Sequence, residues 1–239
     1  MSPASRVVGV LGGMGPDATV DFMAKVIALT PADKDQDHIH MLIDHNPTVP
    51  NRQTAILAGG EDPGPVLAQM AKRLEAAGAD MLVIPCNTAY VFASSVKEAV
   101  DIPLISIIDV TIDAILQHDS SIRNVGILAT DGCLQAGVYQ DALQKRSLTP
   151  VLPDGDELAE LMALINGIKA GDKSATIAAK MRDRANALVS RGAEAIVAGC
   201  TEIPLVMDAS MLGVLLVSST DALAAETVRR ARLTKPHLE

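Results

Sequence analysis

The sequence predicts an α/β protein built of two similar halves, each a short, mostly parallel sheet flanked by helices. Three observations lead there. Apolar runs of strand length alternate with longer helical patterns, as strand–helix units require. Hydrophobic residues make up 49% of the 239-residue chain, yet aromatics are only 2% and Trp is absent, so the core is aliphatic. Such a composition suits buried parallel strands under Ala-rich helices. Finally, the chain repeats itself once, with its features in the same order.

Taken in order, strands are predicted over 7–11, 40–44, 80–84, 103–107, 124–128, 195–198 and 214–217. Between them, Val66, Leu67, Met70, Ala71 and Leu74 keep one face of a helix apolar, and Gly78 stands where its C-cap is expected. Ile177, Met181, Ala185 and Leu188 do the same ahead of Gly192. The repeat shows in "RVVGVLGGMG" from Arg6 against "RNVGILATDG" from Arg123, and in "GADMLVIPC" ending at Cys86 against "GAEAIVAGC" ending at Cys200. The copies are offset by 117 residues at the first pair and 114 at the second. The runs "IPLISIID" and "VLLVSSTD" continue the parallel and end at Asp109 and Asp221, placed to cap helices or to line a cleft. Low-complexity tracts and obvious linkers are absent from the sequence.

A formal net charge of −9 disfavours nucleic acid and anionic membranes as partners, and it obliges any anionic ligand to find a local cationic pocket. Three widely spaced cysteines, with no C-x-x-C pair, do not form a disulfide framework or a zinc site. The five histidines (His38, His40, His45, His118 and His237) show no metal-ligand spacing, so no metal is expected. The N-terminus lacks the apolar core of a signal peptide, and no run approaches the ~20 apolar residues of a membrane span. The reading is a reduced, cytoplasmic protein.

The chemistry lies in the twin motifs. In open α/β sheets, ligands bind beyond the carboxyl ends of the strands. Cys86 and Cys200 stand there, each expected just before a helix start that would favour thiolate and lower the thiol pKa toward neutrality. Asn87, Thr88 and Thr201 add hydrogen-bond donors for an anion docked between the halves. Were the halves to face each other, one ligand carbon would lie between two thiols. One sulfur could then remove a proton while the other delivers one to the opposite face, inverting that carbon. Free cysteines are ordinarily small buried hydrophobes, and Cys133, which has no twin, is read that way.

The motifs "GVLGGMGP" (9–16), "NPTVPNR" (46–52), "PCNTA" (85–89), "GILAT" (126–130), "IKAG" (168–171) and "GAEAIVAGCTEI" (192–203) resemble the cofactor-independent aspartate/glutamate racemase family, nearly end to end. The opening "GGMGP" and the second motif "GCTE" look more like aspartate racemase than glutamate racemase. The resemblance implies two pseudo-symmetric domains with the active site in the cleft between them. It also implies that the C-terminal segment crosses back, giving a first domain of 1–102 plus 211–239 and a second of 103–210. It implies Cys86 and Cys200 as acid/base thiols, no cofactor and a homodimer. Arg52 and Lys169 would hold the side-chain carboxylate of an amino-acid or dicarboxylate substrate. The same motifs make Met14, Asn46, Asn87, Thr88, Thr130, Thr201 and Glu202 substrate-binding candidates.

One departure is Tyr90, where many relatives carry His within Cys-Asn-Thr-x-His; a change there bears on substrate choice. The rival readings are another superfamily activity (glutamate or hydantoin racemase, or maleate isomerase), a catalytically weak dicarboxylate-binding protein, and a thiol redox pair. A sulfur pair with substrate between it disfavours the last, since a disulfide needs Cβ atoms about 4 Å apart. "GGMG" lacks G-x-G-x-x-G and a Walker Lys, and reads as close backbone approach to a small ligand.

Overall fold

The computed structural model describes residues 5–233. It holds two parallel sheets. In the first, β1 (Val8–Gly12) lies between β2 (Met41–His45) and β3 (Met81–Val83), with Val8 opposite both Met41 and Met81. In the second, β4 (Asn124–Leu128) lies between β5 (Thr149–Val151) and β6 (Ala195–Ala198), and β7 (Leu215–Ser218) extends the sheet beyond β6. The order β2-β1-β3 thus matches β5-β4-β6. The match extends one step further, because Leu104 forms a single parallel bridge to Leu82 where β7 pairs with β6.

Helices connect and cover the strands: α1 (Pro16–Leu29), α2 (Arg52–Ala58), α3 (Gly64–Ala76), α4 (Ala93–Lys97) and α5 (Ile107–His118) in the first half. The second half has α6 (Asp131–Gln135), α7 (Val138–Gln144), α8 (Gly155–Lys169), α9 (Ala175–Ser190) and α10 (Ser219–Ala231). The apolar stripe predicted for α3 is buried at Leu67, Met70, Ala71 and Leu74, and that of α9 at Met181, Ala185 and Leu188. Gly78 and Gly192 follow these helices at φ +98° and +92°, a left-handed turn that glycine adopts without Cβ strain.

The repeat extends to packing. A Cβ on Gly9 would lie 2.7 Å from Leu82 Cδ2 and against Ala79 and Leu74; one on Gly126 would lie 2.5 Å from Ile196 Cδ1 and against Ala193 and Leu188. In both halves the first strand lacks a side chain where the neighbouring strand's side chain and the covering helix crowd it.

Two sequence expectations are corrected. The strand predicted over 103–107 shrinks to the bridge at Leu104: Pro103 has no N–H to give, and Ser106 already caps α5 by accepting from the Asp109 N–H. The strand at 214–217, assigned to the first domain as part of 211–239, instead joins β6 in the second sheet. The helix after it does reach the first half: α10 packs on α1, and Lys25 of α1 pairs with Asp221 at 2.7 Å. In mirror fashion α5 packs toward α7, and Arg146 just beyond α7 pairs with Asp109 and Asp113, both at 3.0 Å. Asp109 and Asp221 are therefore docking residues in the first turns of α5 and α10. The exchanged helices bring Ile112, Ile115, Leu223 and Val228 into one core with Val10 of β1 and Val125 of β4. The two halves share that core, and this fixes the cleft at the strand ends.

Candidate active site

Each cysteine stands two or three residues past the end of the strand that pairs with the first strand of its half. Cys86 follows β3, its N–H bonded to the Ile84 carbonyl at 2.8 Å; Cys200 follows β6, where the Gly199 N–H bonds to the Leu128 carbonyl at 2.8 Å. Both cysteines line one cavity of about 280 Å³, together with Met14, Arg52, Asn87, Thr88, Lys169, Thr201 and Glu202. Cys86 is 7% exposed and Cys200 5%, so both residues are buried in the wall of this cavity. A more open depression of about 550 Å³ shares Asn51, Arg52, Lys169 and Glu202 with the cavity and leads to solvent.

The electrostatics of the two thiols differ. Cys200 donates its S–H to Glu202 Oε2 at 2.9 Å. Burial pushes the Cys200 thiol well above its ordinary pKa; the Glu202 charge adds to this, and Lys169 opposes it. The expected helix N-terminus is only a 3₁₀ turn at each site, Thr88–Phe92 after Cys86 and Ile203–Leu205 after Cys200. One short turn carries little of a helix dipole, so at Cys200 burial and the carboxylate prevail. That is a correction to the lowered pKa expected there. Burial works against the Lys169 charge, yet Cys200, Glu202 and Cys86 together hold its pKa above the ordinary value. Arg52 opens α2 and is anchored through one nitrogen, Nη1, which donates to the carbonyls of Val49 (3.0 Å) and Pro50 (3.1 Å). Its other guanidinium N–H groups remain for a ligand in the cavity it lines.

The cavity is therefore a cleft with two thiols, two cations and two carboxylates. A family model for Asp/Glu/Hydantoin racemase matches residues 11–227. The chain belongs to this family. It is 28% identical over 226 residues to the broad specificity amino-acid racemase RacX of Bacillus subtilis, covering 93% of this chain and 96% of that one. Among solved structures, the aspartate racemase of Picrophilus torridus superposes with a TM-score of 0.84 at 28% identity, over 95% of this chain and 94% of that chain. A glutamate racemase from Francisella tularensis, solved with D-glutamate, shares the fold with a TM-score of 0.65 at 19% identity, over 95% and 80% of the two chains.

The racemase brings together most of the residues singled out in its sequence, but two stand apart from the cavity wall. Asn46 turns its carbonyl oxygen to the Thr48 N–H (3.0 Å) and hydroxyl (2.7 Å). Thr130 caps α6 and shares a 2.9 Å hydrogen bond with the Thr88 hydroxyl, so it supports a lining residue from behind. Tyr90 lies in a separate cavity of about 630 Å³ beside α5 and α10, with the Lys97 ammonium 5.6 Å from its ring centre. Its side chain is not among those around the thiols. Cys133 is fully buried, and burial pushes its thiol up to about 12. Sequence reasoning missed Asn51, Gln53, Asp131, Met162 and Asn166, which also line the cavity. Gln53 clasps the halves, donating to Asp131 Oδ1 at 2.5 Å and accepting from the Gly132 N–H at 3.0 Å. Its place directly after Arg52 was the available signal.

Proposed function

We propose that this racemase interconverts L- and D-aspartate, with glutamate as a second substrate, by proton transfer between Cys86 and Cys200. The observation that carries the reading is the convergence of both sulfurs with Arg52 and Lys169 on one cavity. In the resting protein Cys200 holds its proton against Glu202, so it serves as the acid. Cys86, as thiolate, removes the α-proton from one face while Cys200 supplies a proton to the other. Reversal exchanges the roles, as the Cys-SH/Cys-S⁻ pair permits. No cofactor takes part in the transfer.

Arg52 and Lys169 hold the side-chain carboxylate, Arg in a bidentate grip that its planar donors favour. Asn87, Thr88 and Thr201 supply donors to the α-carboxylate, whose second negative charge develops as the proton leaves. General acid–base catalysis contributes about 10²–10⁴-fold, against a total of roughly 8–23 kcal/mol for enzymes at large. Most of the rate therefore comes from these donors and from orientation. The protein works as a cytoplasmic homodimer on this reading, which sedimentation tests separately.

The experiment is chiral chromatography of L-aspartate incubated in D₂O without pyridoxal phosphate. D-aspartate carrying deuterium at the α-carbon supports the reading. No inversion of aspartate or glutamate overturns it, and inversion confined to neutral or basic amino acids in the same panel would move the substrate elsewhere while keeping the two thiols.

A further inference from the structure

Behind the cavity lies a buried hydrogen-bond chain that the proton transfer does not use. Tyr139 on α7 is fully buried, and Asn87 and Ser219 are 2% and 0% exposed. The Tyr139 hydroxyl lies 2.7 Å from Asn87 Oδ1, Asn87 Nδ2 lies 2.9 Å from Ser219 Oγ, and Ser219 Oγ lies 2.9 Å from the Ala198 carbonyl.

The direction of every bond follows from the last one. A carbonyl only accepts, so the single Ser219 proton is committed to Ala198. Ser219 must then accept from the Asn87 amide, which turns Asn87 Oδ1 toward Tyr139, and Tyr139 must donate. Burial raises the Tyr139 pKa far above its ordinary value, so the hydroxyl keeps this proton at any working pH. One Asn87 N–H stays uncommitted on the cavity that Asn87 lines.

The same ring also touches the other cysteine turn. A Cβ on Gly199 would lie 3.0 Å from Tyr139 Cε2, so the ring rests on bare backbone next to Cys200. Tyr139 thus contacts the residue after Cys86 through its hydroxyl and the residue before Cys200 through its ring. Ser219 closes the loop by holding Ala198, the last residue of β6.

We propose that Tyr139 is a positioning residue that sets the relative placement of the two thiol turns and the orientation of the Asn87 amide. The inference rests on the two-thiol reading for its kinetic consequence, but not for its structural one. Tyr139→Phe keeps the ring on Gly199 and removes only the donor, leaving Asn87 Oδ1 buried without a partner.

For racemisation, Tyr139→Phe should lower kcat by about tenfold or more, because small displacements of reacting groups are costly in rate, while KM changes less than about threefold. A KM effect with kcat intact overturns the assignment. The second readout needs no turnover: pseudo-first-order alkylation of Cys86 and Cys200 by iodoacetamide, followed by peptide mass spectrometry. Rates altered at both cysteines support the proposal; an unchanged rate at either overturns it. Ser219→Ala breaks the same chain at its far end, should reproduce both signatures, and decides the matter if Tyr139→Phe does not fold. A wild type that inverts no amino acid would sink the function proposed above, and the alkylation result would still judge Tyr139.

Discussion

Glu202→Gln tests the asymmetry of the two thiols most directly. The substitution keeps the shape and removes one negative charge 2.9 Å from Cys200 Sγ. Two unit charges about 4 Å apart interact by about 4 kcal/mol at an effective dielectric near 20. Lys169 already offsets part of the carboxylate's effect, so the Cys200 pKa should fall by less than that full interaction would give. Iodoacetamide captures the thiolate, so the midpoint of the pH–alkylation profile of Cys200 should move to lower pH. Cys133, buried elsewhere, is the internal control. In kinetics, the proposed mechanism requires the free enzyme to carry one proton on the pair, whichever direction runs. The alkaline limb of kcat/KM should therefore move to lower pH with the thiol. Because the enantiomers are equal in energy, it must move identically for L- and D-substrate. An alkylation midpoint that stays in place or rises would refute the claim that Glu202 holds the proton on Cys200.

Three further outcomes are expected. Cys86→Ser and Cys200→Ser should each lower racemisation by at least ~10²-fold, while calorimetry shows a dicarboxylate analogue binding within a few-fold of wild type. Lys169→Met removes a charge-assisted contact of about 1.5–3 kcal/mol, so KM for aspartate should rise roughly 10- to 100-fold with a smaller change in kcat. Cys133→Ala should flatten the alkaline loss of stability. With its folded pKa pushed from 9.0 to about 12, Cys133 keeps its proton where the unfolded chain has released it. Its contribution is therefore complete below pH 9 and lost as pH rises toward 12. By pH 11 wild type should have lost roughly 2–3 kcal/mol more than the variant, read from urea unfolding at each pH.

Most of the scaffold was legible because its signals are local. The stripes of α3 and α9, the glycines that end them and the central strands follow from period and turn chemistry. What failed was decided by competition. The run at 103–107 looks like a strand, yet Ser106 begins a helix inside it, and a side-chain cap three residues after a proline outweighs β-propensity. Conversely β5, Thr149-Pro150-Val151, was missed because proline argues against a strand; it survives as an edge, where an absent N–H leaves no inner ladder broken. The cysteines and cations were readable as motifs. Gln53, Asp131 and Asn166 were not, since a polar residue on a helix carries no mark of which cavity it will face. Nor could the sequence show that burial would override the turn at Cys200, because a pKa depends on what is packed overhead.

The repeat brings two thiols to one cavity, and the departures from the repeat make their surroundings differ. Two equivalent strand–turn units place two sulfurs at one cleft, and identical surroundings would give them identical proton affinities. The residues that follow break the tie: Cys86 is succeeded by Asn87 and Thr88, which are neutral, and Cys200 by Thr201 and Glu202, which brings a carboxylate to 2.9 Å. The second thiol is thereby held protonated in the resting state. On the proposed mechanism each turnover begins with one proton between the two sulfurs, and the reverse reaction starts with it on the other one, so Cys200 must also be able to release its proton. Lys169 serves that need: it sits near both sulfurs and Glu202, and it moderates the carboxylate's effect on Cys200. On the proposed mechanism Lys169 therefore has two tasks, gripping the substrate's carboxylate and opposing the rise that burial and Glu202 impose on the Cys200 thiol.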